Sequence, residues 1–307
     1  MRLLQRNNEG QYTSTEFIGE TVPRYAILSH TWGADHDEVT LADLENHTGT
    51  DKAGYKKLQF SADQAAKHGL RYFWVDTCCI DKSSSAELTE AINSMFAWYR
   101  DAARCYVYLP DVSIDSLTSS PPAQQDWYPA FQQSRWFTRG WTLQELVAPV
   151  SVEFFSVEGQ RLGNKYSLLQ ELHSITRINV EALQGSPLEG FSVDERMSWV
   201  GQRKTKREED MAYSLLGIFD VHMSLIYGEG RKKAFARLQK EINTTPNEGR
   251  LSVPQSETSQ DQGQTTHLYH GPVFHGPISG RYVVPGTHVT GGTVNFDFSE
   301  GRDGRLK

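Results

Sequence analysis

Arg71-Tyr-Phe-Trp-Val-Asp76, the helical segment opening at Ser84, and Cys105-Tyr-Val-Tyr-Leu109 together decide the fold of this chain. The first and last are short apolar runs rich in aromatic and β-branched residues, the pattern of buried strands. Between them Leu88, Ile92, Met95, Phe96 and Tyr99 recur at helical spacing on one face, with Glu87, Glu90, Asn93, Ser94 and Asp101 on the other. Ser84 and Glu87 have capping-box spacing at the helix start, and Pro110 stops the second strand. Strand, crossover helix and strand in this order build one layer of a parallel sheet.

Outward from this unit the pattern repeats. Arg24-Tyr-Ala-Ile-Leu-Ser29 reads as an earlier buried strand that ends in the polar-aromatic turn Ser29-His30-Thr31-Trp32-Gly33. Tyr55 to His68 follows with helical spacing, stopped by Gly69. Thr77-Cys-Cys-Ile-Asp81 continues or caps the 71–76 strand. Residues 111–126 read as a loop, and a third helical segment leads to a fourth strand, Val150-Ser-Val-Glu-Phe-Phe155. The expected fold class is α/β, flavodoxin-like, a mostly parallel sheet over about 20–160 with helices on both faces. A helical subregion follows over about 165–242, with segments at Tyr166–Ile175, Val193–Gln202, Glu208–Phe219 and Arg231–Ile242.

Composition narrows the function classes. The chain has 307 residues and a net charge of −7, so no global basic field invites nucleic acid. Its hydrophobic fraction of 38% is low enough to predict an unpacked portion, while 7 Trp, 13 Tyr and 14 Phe predict a dense aromatic core or an aromatic-walled pocket. Three cysteines, Cys78, Cys79 and Cys105, form neither a disulfide framework nor a four-ligand zinc site, and the ten His show no metal-binding spacing. No metal and no bound cofactor are expected. The N-terminus lacks the apolar region of a signal peptide, and no apolar run approaches the ~20 residues that span a bilayer. A cytoplasmic location with a reducing environment is the expectation.

The candidate site starts from Ser134-Arg-Trp-Phe-Thr-Arg-Gly-Trp141-Thr-Leu-Gln-Glu145-Leu-Val-Ala-Pro149. Trp141 and Glu145 are one helical turn apart, so a carboxylate lies beside an indole. Apolar walls raise a carboxylate's pKa and such places are often functional, whereas a solvated Glu on a core helix is the plainer reading. In open α/β sheets ligands bind beyond the carboxyl ends of the strands, near the reversal of strand order. Ser29 and His30 end one strand and Asp76 ends another, and the 134–149 stretch has the position to fold over the same rim. Trp136 reads as core.

Three other features are assigned more plainly. The basic cluster Arg203–Arg207 is followed by Glu208, Glu209 and Asp210 and reads as a charge-balanced loop and helix start. Gly228-Glu-Gly230-Arg-Lys-Lys233 has a phosphate-binding look before a helix, but a turn into a helix explains it more simply. Cys78 and Cys79 read as small buried residues, since no dedicated His partner is visible. Residues 243–266 are polar and read as a flexible linker. The Gly-rich tail 267–307 alternates polar and apolar residues at Thr293–Phe298, a β-prone pattern that suits either stacking between chains, a docked hairpin or disorder.

Four blocks carry a family resemblance. Tyr25-Ala-Ile-Leu-Ser-His-Thr-Trp-Gly33, Tyr72-Phe-Trp-Val-Asp-Thr-Cys-Cys-Ile-Asp81 with Glu90–Met95 and Tyr99, and Arg139-Gly-Trp-Thr-Leu-Gln-Glu-Leu146 with Pro149 resemble successive blocks of the fungal heterokaryon-incompatibility (HET) domain. Asp210–Phe219 with Tyr227-Gly-Glu-Gly230 resembles its last block. The resemblance covers about 1–242. It implies a fungal effector that triggers cell death on self-association, downstream of a sensor or receptor protein recruited through the tail, which looks similar in style to amyloid signalling motifs.

More distantly, the strand–helix order with Ser134-x-Trp136 and Trp141-x-x-x-Glu145-Leu146 resembles Toll/interleukin-receptor (TIR) domains, though Thr142 stands where that block has Cys. That resemblance implies NAD as substrate and Glu145 as the catalytic carboxylate. Ser29, His30, Trp32 and Trp141 would then be pocket walls, with Asp76 either a polar group in the rim or a helix-capping carboxylate. A non-catalytic death adaptor that acts by assembly is the other function the resemblance allows.

Overall fold

A computed structural model describes residues 1–19, 22–114, 124–244, 287–290 and 293–296. The chain divides into a unit spanning Met1–Leu251 and a second spanning Ser252–Lys307. The first is built on seven strands: β1 (Arg2–Arg6), β2 (Tyr12–Glu16), β3 (Tyr25–His30), β4 (Tyr72–Trp74), β5 (Arg104–Tyr108), β6 (Val152–Phe155) and β7 (Arg161–Asn164). Its helices are α1 (Leu41–Glu45), α2 (Tyr55–Lys67), α3 (Asp76–Cys79), α4 (Ser85–Asp101), α5 (Gln124–Gln132), α6 (Thr142–Val147), α7 (Leu169–Thr176), α8 (Val180–Leu183), α9 (Val193–Ser198), α10 (Asp210–Tyr213) and α11 (Arg231–Thr244).

The sheet order is β2-β1-β4-β3-β5-β6-β7. The four central strands, β4-β3-β5-β6, are mutually parallel, and the edges β1, β2 and β7 are antiparallel. Counted along the chain, the central strands have the order 2-1-3-4, which is the flavodoxin-like arrangement with its reversal at β3. The expected α/β fold is therefore the observed one. Every residue of β3 is buried, as expected of a parallel strand covered on both faces.

Two features lie outside the sequence pattern. The sheet extends beyond 20–160, because Arg2–Glu16 forms a hairpin on one edge and Arg161–Asn164 closes the other. Strands of four or five residues carry too few side chains for a periodic signal, and in β1 the two buried residues, Leu3 and Leu4, are adjacent. Likewise Asp76–Cys79 neither prolongs the β4 strand nor merely caps it. It is α3 itself, a single turn that starts as soon as Val75 leaves the sheet.

Helix α4 follows its capping signal, since the Ser84 side chain accepts from Glu87 N. It packs its apolar face under the sheet, where Tyr99 OH donates to Leu28 O at 2.9 Å. Aromatic edges interlock on both sides: Trp74 meets Trp98 and Tyr99, while Phe131, Trp136, Phe137 and Phe154 form a second cluster. Burying an aromatic such as Phe154 contributes roughly 1.5–3 kcal/mol.

Of the helices expected in 165–242, Arg231–Ile242 is observed as α11, Arg231–Thr244, whereas the other three are shorter. Glu208–Phe219 is helical only over α10 and then runs in turns, with Gly217 seated against Phe96 so closely that any Cβ would overlap that side chain. In the second unit β8 (Thr287–Thr290) and β9 (Thr293–Phe296) form an antiparallel hairpin, pairing Thr290 with Thr293. Of the expected linker 243–266, only residues 243 and 244 are described, as the last turn of α11, and the rest of the tail outside β8 and β9 also lies beyond the described residues.

Candidate active site

The site forms where β3 ends. Ser29 and His30 are its last two residues, both buried, and Trp32 follows two residues on. Parallel β4 brings Asp76 alongside, at the first position of α3. The Asp76 carboxylate accepts the Trp32 indole N–H at 2.7 Å on Oδ2 and faces His30 Nε2 at 2.8 Å on Oδ1. Burial pulls the Asp76 pKa upward, but the charge and hydrogen bond of His30, the charge of Lys82 and the Trp32 bond outweigh it, leaving the group well below the ordinary carboxylate range. Asp76 is thus a fixed negative charge. His30 Nδ1 is enclosed and without a hydrogen-bond partner among the described residues, so Asp76 alone fixes the ring by a hydrogen bond.

Glu145 arrives from the other side on α6. Helix α6 is buried at every residue, including Glu145 at 7% exposure. Trp141 stands at its N-cap position and is half-buried. Ser29 Oγ donates to Glu145 Oε2, and Trp136 Nε1 donates to Ser29 Oγ at 2.7 Å. Burial pushes the Glu145 pKa up to about 8, opposed in part by the Ser29 hydrogen bond and reinforced by the charge of Asp76. The plainer reading of Glu145 as a solvated surface residue does not hold. Trp136 is fully buried core, yet its indole N–H holds the serine that holds the carboxyl.

Asp76 and Glu145 both line one cavity of about 670 Å³, together with His30, Trp32 and Trp141. Of the six residues singled out by sequence, five line this cavity, and Ser29 supports Glu145 from beneath. Asp76 turns out to be a rim carboxylate and the first residue of a helix at once. Its position in the first turn also suits the helix dipole.

Residues that the pattern passed over complete the walls. Lys82 Nζ lies 3.8 Å from the centre of the Trp32 ring, a cation–π contact. Arg139, Lys204 and Arg207 also line the cavity. Lys82, Arg139, Lys204 and Arg207 form no salt bridge among the described residues. Within the cluster 203–207 Lys206 pairs with Asp35 at 2.6 Å, and the charge of Arg207 acts on Glu209 and Asp210 without a salt bridge among the described residues. Glu209 instead accepts the N–H groups of Gly228 and Gly230, each at 2.9 Å, and Asp210 accepts from Tyr227 OH at 3.0 Å.

The segment reaches the site because Lys204 pairs with the chain before α6: Lys204 N donates to Thr138 O at 2.7 Å, and Gly140 N donates to Lys204 O at 2.9 Å. Gly140 permits this approach, since a Cβ there would run into Thr205 Cγ2. A run of mixed charge gives no sequence signal of this kind, because its partners are 60 or more residues away.

The cysteines take no part in the cavity. All three are buried and free, and burial pushes the Cys78 thiol up to about 12, which suppresses the nucleophilic thiolate. Among the described residues no cluster of three or more His, Cys, Asp or Glu is arranged to hold a metal, and no helix is long and apolar enough to cross a membrane.

Residues 25–126 match the sequence profile of the family described as "Heterokaryon incompatibility protein (HET)". Vegetative incompatibility protein HET-E-1 of Podospora anserina is 58% identical over 243 residues, which is 79% of this chain and 18% of that protein. The chain therefore spans less than a fifth of the length of that relative. No solved structure matches. The profile covers β3, β4 and β5 with the Ser29, His30, Trp32 and Asp76 positions, and the chain belongs to the heterokaryon-incompatibility (HET) domain family.

Proposed function

We propose that this chain is a vegetative-incompatibility effector that triggers cell death on self-association, and that its cavity hydrolyses the nicotinamide–ribose bond of NAD. The similarity to HET-E-1 supports the first part. The observation that carries the second is that Asp76 and Glu145 line one cavity together with Lys82, Arg139, Lys204 and Arg207, four cations without salt bridges among the described residues. Charges of both signs on one cavity wall suit a ligand that carries both a cationic ring and a pyrophosphate.

Heterolysis of the ribosyl–nitrogen bond returns its electron pair to the pyridinium nitrogen, so nicotinamide leaves neutral. Positive charge then develops on the ribosyl carbon, and a carboxylate beside it lowers the barrier. Water adds to that carbon and loses a proton to the site, giving ADP-ribose. Burial favours the protonated form of Glu145, and an arriving pyridinium favours its ionised form. A ligand ring stacked on Trp32 displaces Lys82 from the indole face towards the phosphates.

The test is nicotinamide release by the purified chain. Steady release from NAD, falling about 10²–10³-fold in Glu145→Gln, is the expected result. Equal rates in the two proteins would remove Glu145 from the chemistry.

A second reading, a non-catalytic adaptor acting by assembly, is favoured by the Trp136–Ser29–Glu145 chain of hydrogen bonds. It ties α6 to β3 and would serve a purely architectural role equally well. In that reading the tail with its β8–β9 hairpin recruits an upstream sensor protein. Cell death with NAD levels unchanged would select the adaptor.

A further inference from the structure

A second groove, of about 850 Å³, lies on the far side of the 203–207 segment. Its floor and walls are Arg203, Lys204, Arg231, Lys232 and Lys233, with Glu208 and Glu229 as the acidic residues. Glu229 is already engaged, 2.6 Å from Arg237 Nη1. Lys204, Arg231, Lys232 and Lys233 have no salt bridge among the described residues. One carboxylate, Glu208, is therefore left to face five cations.

The groove is also the N-terminus of α11, a helix of 14 residues with no acid in its first turn. The N–H groups of a first helical turn have no partner within the helix, and the helix dipole adds positive potential there. Those of Gly228 and Gly230 are occupied by Glu209, which fixes the loop and leaves the following turn facing the groove. An independent observation points the same way. Arg203 lines the groove and is 93% buried, its Nη1 donates to Arg139 O at 2.9 Å and Thr142 Oγ1 at 2.6 Å, and its Nη2 has no hydrogen-bond partner among the described residues. Its positive charge adds to the field that an anion in the groove meets.

We propose that this groove binds a multiply phosphorylated small molecule, with Arg231 and the first turn of α11 gripping one phosphate, Lys204, Lys232 and Lys233 the others, and the buried charge of Arg203 behind them. The site is separate from the Glu145 cavity and does not depend on its chemistry, although Lys204 and Thr205 line both.

The test uses the full chain and inorganic tripolyphosphate, titrated by calorimetry at about 0.15 M salt. The double variant Lys232→Gln/Lys233→Gln changes only exposed side chains and is expected to weaken binding by at least about tenfold. Lys56→Gln, an exposed lysine of α2 outside both cavities, is expected to leave it unchanged. Three results would overturn the proposal: no saturable binding, no greater loss in the double variant than in Lys56→Gln, or binding to vesicles containing phosphoinositides without binding to free tripolyphosphate. The last would make the groove a membrane contact. NAD hydrolysis plays no part in any arm, so the fate of the Glu145 reading stays distinguishable.

Discussion

Ser29 donates its hydroxyl proton to Glu145 across 116 residues of sequence, joining the end of β3 to the first turn of α6. The same oxygen accepts the Trp136 indole N–H, so both the donor and acceptor roles of the hydroxyl are used. Ser29→Ala leaves an indole N–H and a carboxyl facing each other without the bridge. The expected loss is about 1–3 kcal/mol of stability, read as a lower midpoint in urea denaturation. An unchanged midpoint would show that the bridge carries no net stability.

The raised pKa of Glu145 has a consequence for stability against pH. Folded Glu145 keeps its proton up to about 8, whereas its ordinary value is 4.5. Between those values the folded chain holds a proton that the unfolded chain has lost, so stability falls as pH rises. The slope from this one group is at most about 1.4 kcal/mol per pH unit. Glu145→Gln removes the titration while keeping the shape. Thermal midpoints between about pH 5 and 8 should decline less steeply in the variant, and parallel curves would contradict the assignment.

Asp76 has the opposite sign. Its folded pKa lies below the ordinary 3.8, lowered by His30, Lys82 and Trp32 against the pull of burial. Its contribution is present above 3.8 and is lost as pH falls towards the folded value. Asp76→Asn is therefore expected to lower stability by about 1–3 kcal/mol near neutrality and to flatten the acid limb below pH 4. Acid titration followed by tryptophan fluorescence measures both, since Trp32 reports on the site directly.

Two glycines should rank in a definite order. At Gly140 the obstruction is Thr205 Cγ2, a methyl on a side chain that has other rotamers, whereas at Gly217 it is Phe96 Cβ, which cannot move without its helix. Gly140→Ala is expected to cost about 1 kcal/mol and Gly217→Ala about 3 kcal/mol or more. Chemical denaturation of both variants checks the order. In addition, Gly140→Ala should alter the affinity of the Glu145 cavity for anions, because it moves Lys204.

The parts of the molecule legible in the sequence are those with local causes. The α4 helix shows in its apolar spacing and its Ser84 cap, and β3, β5 and β6 show as apolar runs bounded by turns. Five cavity-lining residues were readable for a different reason, namely that they sit at strand ends or in a Trp-rich helix, where an α/β sheet places its ligands. The edge strands β1, β2 and β7, the single turn α3 and the cations Lys82, Lys204 and Arg207 were not readable. Short elements carry too few residues for a period, and a cation's significance depends on which acids reach it.

By itself the sequence determined the α/β order, the buried strands and a carboxylate beside an indole, because each follows from side chains within one turn or one strand of each other. Only the tertiary structure decided that Glu145 is enclosed, that Ser29 and Trp136 hold it, and that Lys204, without a salt bridge among the described residues, lines two cavities. The physical reason is that burial and charge pairing are properties of neighbours in space. Ser29 and Glu145, for one, lie 116 residues apart.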